Sequence, residues 1–185
     1  MSNRGFTLIE LIVVIVALSL LAITALPRLM SLSSEAHDAS ANSVFAAFKG
    51  AVSQFHSTCM ARGGDIPGQG ALGIGGGLDF PDLGVRSSTS GSCYPEAGLG
   101  DGRISDFADC LQTVEGLLSP LPRHNDTSLP HTQAAYEAAA DSIEMVIHYA
   151  GVRRCDLIYV AGGAGLNGPT LSYNGQTGAI QISHL

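Results

Sequence analysis

The sequence predicts an α+β protein in which a long N-terminal helix packs on an antiparallel β-meander. Apolar residues recur near every 3.6 positions from Leu29 to Cys59, as on one face of a helix. Between residues 143 and 183, apolar and polar residues alternate in four short runs, as in half-buried strands. Asn174-Gly175, a strong hairpin-turn signal, separates the last two runs. The apolar face of such a meander needs a cover, which the helix supplies.

The composition excludes several classes of protein. The chain has 185 residues, of which 45% are hydrophobic and 14% charged, so disorder is excluded for most of its length. Nine Lys and Arg against 16 Asp and Glu give a net charge of −7. A nucleic-acid binder needs clustered basic residues, and this sequence has no basic run. The same composition argues against docking to an anionic lipid surface.

An apolar run near the N-terminus is the most informative segment. It extends from Phe6 to Leu26, and as a helix its 21 residues would span roughly 31 Å, about the hydrocarbon thickness of a bilayer. A secretory signal peptide and a plain transmembrane anchor are two explanations. The run is long for a signal-peptide core, and residues 23–25 (Ile-Thr-Ala) make a poor cleavage site. Neither explanation accounts for Glu10, the single acid inside the run.

Glu10 needs an explanation because a charged side chain at the centre of a membrane helix costs about 2.5–3.5 kcal/mol. One explanation places Glu10 near the cytoplasmic interface, where its carboxylate reaches water. The other supplies a positive partner. Cleavage between Gly5 and Phe6 would create a new ammonium group four residues before Glu10. That ammonium would neutralise Glu10 of the same helix or of a neighbouring copy.

The residues from Arg4 to Glu10, Arg-Gly-Phe-Thr-Leu-Ile-Glu, together with the apolar run, resemble the prepilin signature of type IV pilins and type II secretion pseudopilins. The resemblance implies that a prepilin peptidase cuts after Gly5 and then N-methylates Phe6. It also implies that Glu10 recruits the next subunit during assembly. A family proline that bends the long helix falls on Pro27.

Helical patterning resumes directly after Pro27. A proline inside a helix removes one backbone hydrogen bond and costs about 3 kcal/mol, yet the apolar stripe continues to Cys59. We therefore expect one kinked but continuous helix over about residues 6–60. Ser19 stands where many relatives have a glycine midway along the apolar run.

The resemblance implies a type IV pilin-like fold with three parts. They are a prepilin leader at residues 1–5, a hydrophobic transmembrane or filament-core helix at 6–27, and a globular pilin head at 28–185 with a C-terminal antiparallel sheet.

Within the head, the Gly-rich residues 63–78 predict a loop, and no Gly-Lys-Ser/Thr follows them as in a phosphate-binding loop. Residues 85–100 predict turn-rich coil. Apolar spacing predicts helices over 104–118 and 133–140. The four predicted strands cover residues 143–149, 155–160, 170–173 and 179–183.

All four cysteines lie in the proposed head. An even number of cysteines in an exported domain predicts disulfides, and three pairings are open. We favour Cys59–Cys93 and Cys110–Cys155, which would fasten a loop to the long helix and the short helix to the sheet. Four buried thiols would instead require a reducing compartment.

The sequence predicts no catalytic residue, no metal site and no cofactor, so we expect a protein that is not an enzyme. The six histidines form no His-x-x-x-His pair, Gly-x-Ser-x-Gly is absent, and the cysteine spacing fits no zinc site. Asp101, Asp106 and Asp109 suggest calcium. Asp101 and Asp106 are more simply explained as acidic residues at the start of a helix.

The resemblance implies a structural subunit of a type IV pilus, major or minor, that assembles into a surface filament for adhesion or surface attachment. A type II secretion pseudopilin is the alternative. Within the family, the chain is most similar to mannose-sensitive haemagglutinin (MSHA) type pilins. This similarity is carried by Pro27-Arg28-Leu29, by Tyr94-Pro95-Glu96-Ala97, and by Cys155 leading into Ile158-Tyr159.

The implied partners are other copies of the chain, related pilins, the prepilin peptidase/methyltransferase, the membrane and an inner-membrane assembly platform, with no nucleic acid. The implied location is the inner membrane of a Gram-negative bacterium, as a single-pass protein with its N-terminus inside, and then the extracellular pilus. A membrane-tethered binding or hydrolytic domain with a fortuitous N-terminal match is the competing class. It would keep Met1 or be cleaved near Ala25, and it would form no polymer.

Overall fold

The computed structural model describes residues 7–63, 79–88, 91–96 and 102–183, and it gives residues 24–34 by their backbone alone. An N-terminal helix is followed by antiparallel sheets, so the predicted α+β class is confirmed. The chain divides into two compact units, a helical unit at Met1–Ala39 and a head at Ser40–Leu185.

Helix α1 extends from Leu8 to Ala61 and has 54 residues, close to the predicted 6–60. The helix is continuous through Pro27. The bend predicted at Pro27 stays a prediction. In the head, α1 buries one stripe of side chains at helical spacing, consisting of Ala41, Phe45, Phe48, Val52, Phe55 and Cys59. These residues form the helical side of the core.

The C-terminal sheet is the predicted meander. Its strands are β3 (Met145–Gly151), β4 (Arg154–Tyr159), β5 (Thr170–Asn174) and β6 (Ile180–Ser183), in the order β3-β4-β5-β6 with every pair antiparallel. Before them come β1 (Asp79–Phe80), β2 (Val85–Arg86), α2 (Phe107–Leu117) and α3 (Gln133–Ala139). A short 3₁₀ turn covers Gly165–Asn167.

Coil was predicted for residues 85–100, and this was wrong for Val85 and Arg86, which form strand β2. Strands β1 and β2 form a small antiparallel hairpin, in which Asp79 lies opposite Arg86. The Arg86 guanidinium donates to the Asp79 carboxylate, with 3.2 Å between Nη2 and Oδ2. Because each strand has two residues, neither produces a readable alternation. Except for Gly63, the Gly-rich loop predicted over 63–78 lies outside the described residues.

The main core lies between α1 and the sheet. Met145, Leu157 and Leu171 of the sheet are fully buried with Phe45 and Phe48 of α1 in one apolar cluster. Such packing is the main source of stability of the head, since burying a large apolar side chain contributes about 1.5–3 kcal/mol.

The opposite face of the sheet is also partly covered. Val146 of β3 and Ile158 of β4 are buried with Tyr136 of α3 in a separate cluster. The sequence predicts α1 as the one cover of the sheet, and the structure adds α3 as a second. Buried residues therefore occupy both faces of β3 and β4, which explains why Val146 interrupts the predicted alternation.

Both favoured disulfides are present. Cys59 of α1 is bonded to Cys93 with a Cα–Cα distance of 5.7 Å, and Cys110 of α2 is bonded to Cys155 of β4 with a Cα–Cα distance of 5.6 Å. All four cysteines are fully buried. The first bridge joins the end of the long helix to the loop at 91–96, and the second joins α2 to the sheet.

Candidate functional site

The first turn of α1 is built by Thr7 and Glu10. The Thr7 N–H donates to Glu10 Oε2 at 3.0 Å, and the Thr7 hydroxyl donates to the same oxygen at 2.7 Å. In return, the Glu10 N–H donates to Thr7 Oγ1 at 3.4 Å. This reciprocal arrangement is a capping box, which satisfies two backbone donors that have no partner inside the helix. The Glu10 carboxylate is thereby held at the very start of the helix.

The helix surface that follows is apolar and exposed. Twelve large aliphatic side chains between residues 8 and 23 are 46–75% exposed. Soluble monomers rarely leave so large an apolar surface in water, so this surface requires a lipid or protein cover. Among the described residues, no helix has a stretch both long and apolar enough to cross a membrane.

Ser19 has a defined role in this surface. Its hydroxyl donates to the carbonyl oxygen of Ile15 at 2.6 Å, one helical turn earlier. The hydroxyl donor is therefore satisfied within its own helix and needs no partner from a neighbouring helix. A glycine at this position would lack this bond and would weaken the helix by about 1 kcal/mol relative to alanine.

The other predicted residues fall in different parts of the chain. Gly5 and Phe6, the predicted cleavage and methylation positions, lie outside the described residues. Asp101 does as well, whereas Asp106 caps α2 by accepting from the Asp109 N–H at 3.0 Å. Asp109 Oδ2 accepts from the N–H and the hydroxyl of Ser105 at 2.8 and 2.7 Å. These bonds give the two carboxylates a role at the start of the helix. The described residues include no group of three or more side chains suited to a metal ion.

The burial of Glu96, three residues after the disulfide at Cys93, was not predicted from the sequence. Glu96 is fully buried, and its Oε1 lies 3.3 Å from Nε of Arg153. Burial raises the pKa of Glu96, while a hydrogen bond from Ser88 and the charge of Arg153 act in the opposite direction. One residue earlier, the carbonyl of Pro95 accepts from the buried hydroxyl of Tyr173 at 2.6 Å. The segment at 91–96 is therefore bonded to α1, to β5 and to the β3–β4 turn.

Two histidines that are far apart in sequence also come together. The rings of His131 and His148 are stacked, with centroids 4.4 Å apart and an interplanar angle of 23°. His131 Nδ1 lies 3.0 Å from the hydroxyl of Tyr136, and His148 lies opposite Asp156 in the sheet register. Burial and the charge of Asp156 raise the pKa of Tyr136 to about 12, so this hydroxyl stays protonated at neutral pH.

This stack predicts a pH dependence of stability. Burial, and then the charge of His131, lower the pKa of His148 below its ordinary value of 6.5. The folded chain therefore binds fewer protons than the unfolded chain near pH 6, and the free energy of unfolding falls as the pH drops through 6.5. Between pH 7.5 and 5.5, we expect the melting temperature of the detergent-solubilised chain to fall about 2 °C further than that of His148→Gln. If the melting temperatures of the two proteins fell equally between pH 7.5 and 5.5, His148 would not be the source of the pH dependence.

Comparison with known proteins identifies the N-terminal segment. A family model described as the prokaryotic N-terminal methylation motif matches residues 1–26. No curated protein and no solved structure is significantly similar to the chain. The predicted methylation signature is confirmed. The matched range contains Gly5, Phe6 and Glu10, whose individual roles stay predictions.

Proposed function

We propose that the chain is a structural subunit that assembles into a type IV pilin filament. The observation that carries this proposal is the methylation motif at residues 1–26, which supports a type IV pilin or prepilin family. Two features of the structure agree with it. The motif leads into a helix of 54 residues, and that helix presents twelve exposed aliphatic side chains that need a cover. No catalytic step is assigned to the chain.

The proposed assembly mechanism uses the charge of Glu10 and the exposed apolar surface of α1. In the precursor, the helix would lie in the inner membrane, with lipid covering the apolar side chains. Removal of residues 1–5 would expose the amine of Phe6, which would be N-methylated. This cation would pair with Glu10 of a neighbouring copy, while apolar helix surfaces of the two copies replace lipid. The contacting surfaces differ, so the contact is head-to-tail, and head-to-tail contacts that do not close into a ring produce a fibre.

We further propose that the filament serves in adhesion. The similarity to MSHA type pilins supports a surface filament that attaches cells to a substrate. Part of this similarity is carried by Tyr94-Pro95-Glu96. Pro95 and Glu96 are buried, the Pro95 carbonyl accepts from Tyr173 of β5, and Glu96 pairs with Arg153 of the β3–β4 turn. The leader peptidase, an inner-membrane assembly platform and other pilins are the partners that this function requires.

The N-terminus of the mature chain tests the proposal most directly. We expect a protein that lacks residues 1–5 and begins with N-methylated Phe6, because the resemblance to prepilins implies cleavage after Gly5. Mass spectrometry of the N-terminal peptide measures both changes. Replacing Gly5 with a bulky residue should leave the leader attached. A wild-type chain that still begins with Met1, or one cut near Ala25, would contradict the proposal.

A second measurement separates a surface pilus from a secretion pseudopilus, since both use the same N-terminal processing. Deleting the gene should remove fibres visible by electron microscopy and reduce attachment of cells to surfaces. Loss of protein secretion with unchanged surface fibres would assign the chain to a secretion system instead.

A further inference from the structure

The last strand of the C-terminal sheet has an unpaired edge. Strand β6 pairs with β5 on one side, and no other described strand pairs with its second side. An unpaired edge presents backbone N–H and C=O groups that can bind another chain, and proteins commonly protect such edges with charges, proline or a bulge. Residues 175–183 contain no charged side chain and no proline, and the β5–β6 register has no bulge. None of these three protections is present at β6.

The opposite edge of the same sheet is covered by its own chain. The Arg123 carbonyl accepts from the N–H groups of Glu144 and Met145 at 2.8 and 3.1 Å. Further along β3, the side chain of Asn125 accepts from the Ile147 N–H at 2.7 Å and donates to the Ile147 carbonyl at 3.1 Å. The edge at β6 is therefore the side of the sheet that is available to a partner.

The backbone groups that face the free edge belong to Ile180 and Ile182. Hydrogen-bonded pairs alternate along an antiparallel ladder, and the Asn174 N–H donates to the Ala179 carbonyl at 3.0 Å. Two residues after Ala179, Gln181 therefore bonds to β5. Ile180 and Ile182, on either side of Gln181, direct their N–H and C=O groups away from β5. The edge thus offers two donors and two acceptors.

The side chains of the same two residues face the core side of the sheet. Ile182 lies opposite Leu171 and Ile180 lies opposite Tyr173, and both of these partners are fully buried. Ile182 is nevertheless 42% exposed, since it lies on the outermost strand. A further strand at this edge would cover Ile182 and extend the apolar core.

A second copy of β6 fits this edge in one antiparallel register. When Gln181 lies opposite Gln181 of the second copy, Ile180 of each copy lies opposite Ile182 of the other. All four isoleucines have backbone groups that face the free edge, so this register forms four hydrogen bonds. It also brings the isoleucine side chains of the two copies together. A register shifted by two residues keeps only one bonded pair within β6.

We propose that β6 pairs antiparallel with β6 of a second copy, through Ile180 and Ile182, and that this pairing joins two neighbouring filaments. The proposal rests on the proposed function, because it describes a contact between assembled fibres. The contact uses the same surface on both copies and is isologous, whereas the contacts that build one fibre are head-to-tail. Because an isologous contact closes on itself, it links two fibres and does not extend one.

The number of contacts compensates for the small size of each. Strand β6 has four residues, and a pair of strands this short is weakly bound in isolation. Two fibres present the strand once per subunit, so after the first contact the next ones form between surfaces that are already held together. We therefore expect the pairing between assembled filaments and not between free chains.

Self-cross-linking of Gln181→Cys tests the register. Residues 181 of the two copies would form a non-hydrogen-bonded pair with Cα atoms about 4.5 Å apart, which suits a disulfide. Ser183→Cys is the matched control, since it lies on the same face and its two copies would be roughly 14 Å apart. Sheared filaments would be oxidised and analysed by non-reducing gel electrophoresis. We expect at least tenfold more dimer for Gln181→Cys, and equal amounts or no dimer would overturn the proposal.

Ile182→Lys tests the association of filaments. The substitution places lysines of both copies at the contact, and a charge on an edge strand opposes pairing. We expect a filament yield within twofold of the wild type and at least fivefold fewer filaments lying side by side in electron micrographs. Val152→Lys adds the same charge at another exposed apolar residue of the head and should leave the association unchanged.

The outcomes separate this contact from the proposed function. Unchanged association for Ile182→Lys, or an equal loss for Val152→Lys, would overturn the β6 pairing, as would wild-type filaments that always run singly. Loss of the Ile182→Lys filaments themselves, with the chain still in the membrane, would place Ile182 in a contact within one fibre and overturn the pairing as well. Wild-type cells without filaments would instead overturn the proposed function.

Discussion

Replacing Glu10 with valine is expected to leave the chain in the membrane and to reduce filament formation about 100-fold. Valine is apolar, so insertion of the helix is unaffected or improved. Assembly, however, would then leave the amine of Phe6 without its partner in an apolar bundle. A charge unpaired in such surroundings costs about 2.5–3.5 kcal/mol, and this corresponds to roughly a 100-fold change in an association constant.

Glu10→Gln distinguishes charge pairing from helix capping. In the structure, Glu10 Oε2 accepts from the N–H and the hydroxyl of Thr7, and a glutamine side-chain oxygen can accept the same bonds. If the negative charge is needed, Glu10→Gln should lose filaments almost as severely as Glu10→Val. If Glu10 serves only as a cap, the glutamine variant should assemble normally, and charge pairing would be wrong.

The matched control is Glu35→Gln, since Glu35 is an exposed acid on the same helix. Sheared filaments and membrane-bound chain would be quantified separately for all three variants. We expect equal amounts in the membrane, and a loss from the filament fraction for the Glu10 variants alone.

Removing the Cys110–Cys155 disulfide is expected to lower the free energy of unfolding of the head by about 4 kcal/mol. The bridge closes a sequence separation of 45 residues, and loop-closure entropy of that size is the basis of the estimate. Since domains of this size have total stabilities of about 5–15 kcal/mol, the loss is large. The double variant Cys110→Ala/Cys155→Ala should melt about 10 °C below the wild type in detergent.

The second bridge provides the control for this measurement. Cys59–Cys93 closes a separation of 34 residues, so its entropic contribution differs by only about 0.2 kcal/mol. A clearly larger effect of one double variant would therefore report local packing and not loop length. Unchanged melting of both double variants, with and without reductant, would show that neither bridge contributes to stability.

The elements with long, regular patterns were predictable from the sequence. Helix α1 and strands β3 to β6 follow from apolar spacing, and the order of the meander follows from short local turns. The capping box was also readable, because Thr7 and Glu10 have the Thr-x-x-Glu spacing of that motif.

The missed features depend on contacts between distant residues. A glutamate such as Glu96 is expected at the surface, and its burial requires Arg153, which is 57 residues away in sequence. The stack of His131 on His148 brings a residue just before α3 against strand β3. Neither arrangement has a periodic signal. Similarly, Val152 and Arg153 lack the usual turn residues, so their positive φ values have no sequence signature.

The position of the Cys59–Cys93 bond has a mechanical consequence. Cys59 lies two residues before the end of α1 at Ala61. If α1 were pulled along its axis, the Cys59–Cys93 bond would transmit the force from the helix directly to the segment at 91–96. This covalent path bypasses residues 60–92 of the chain.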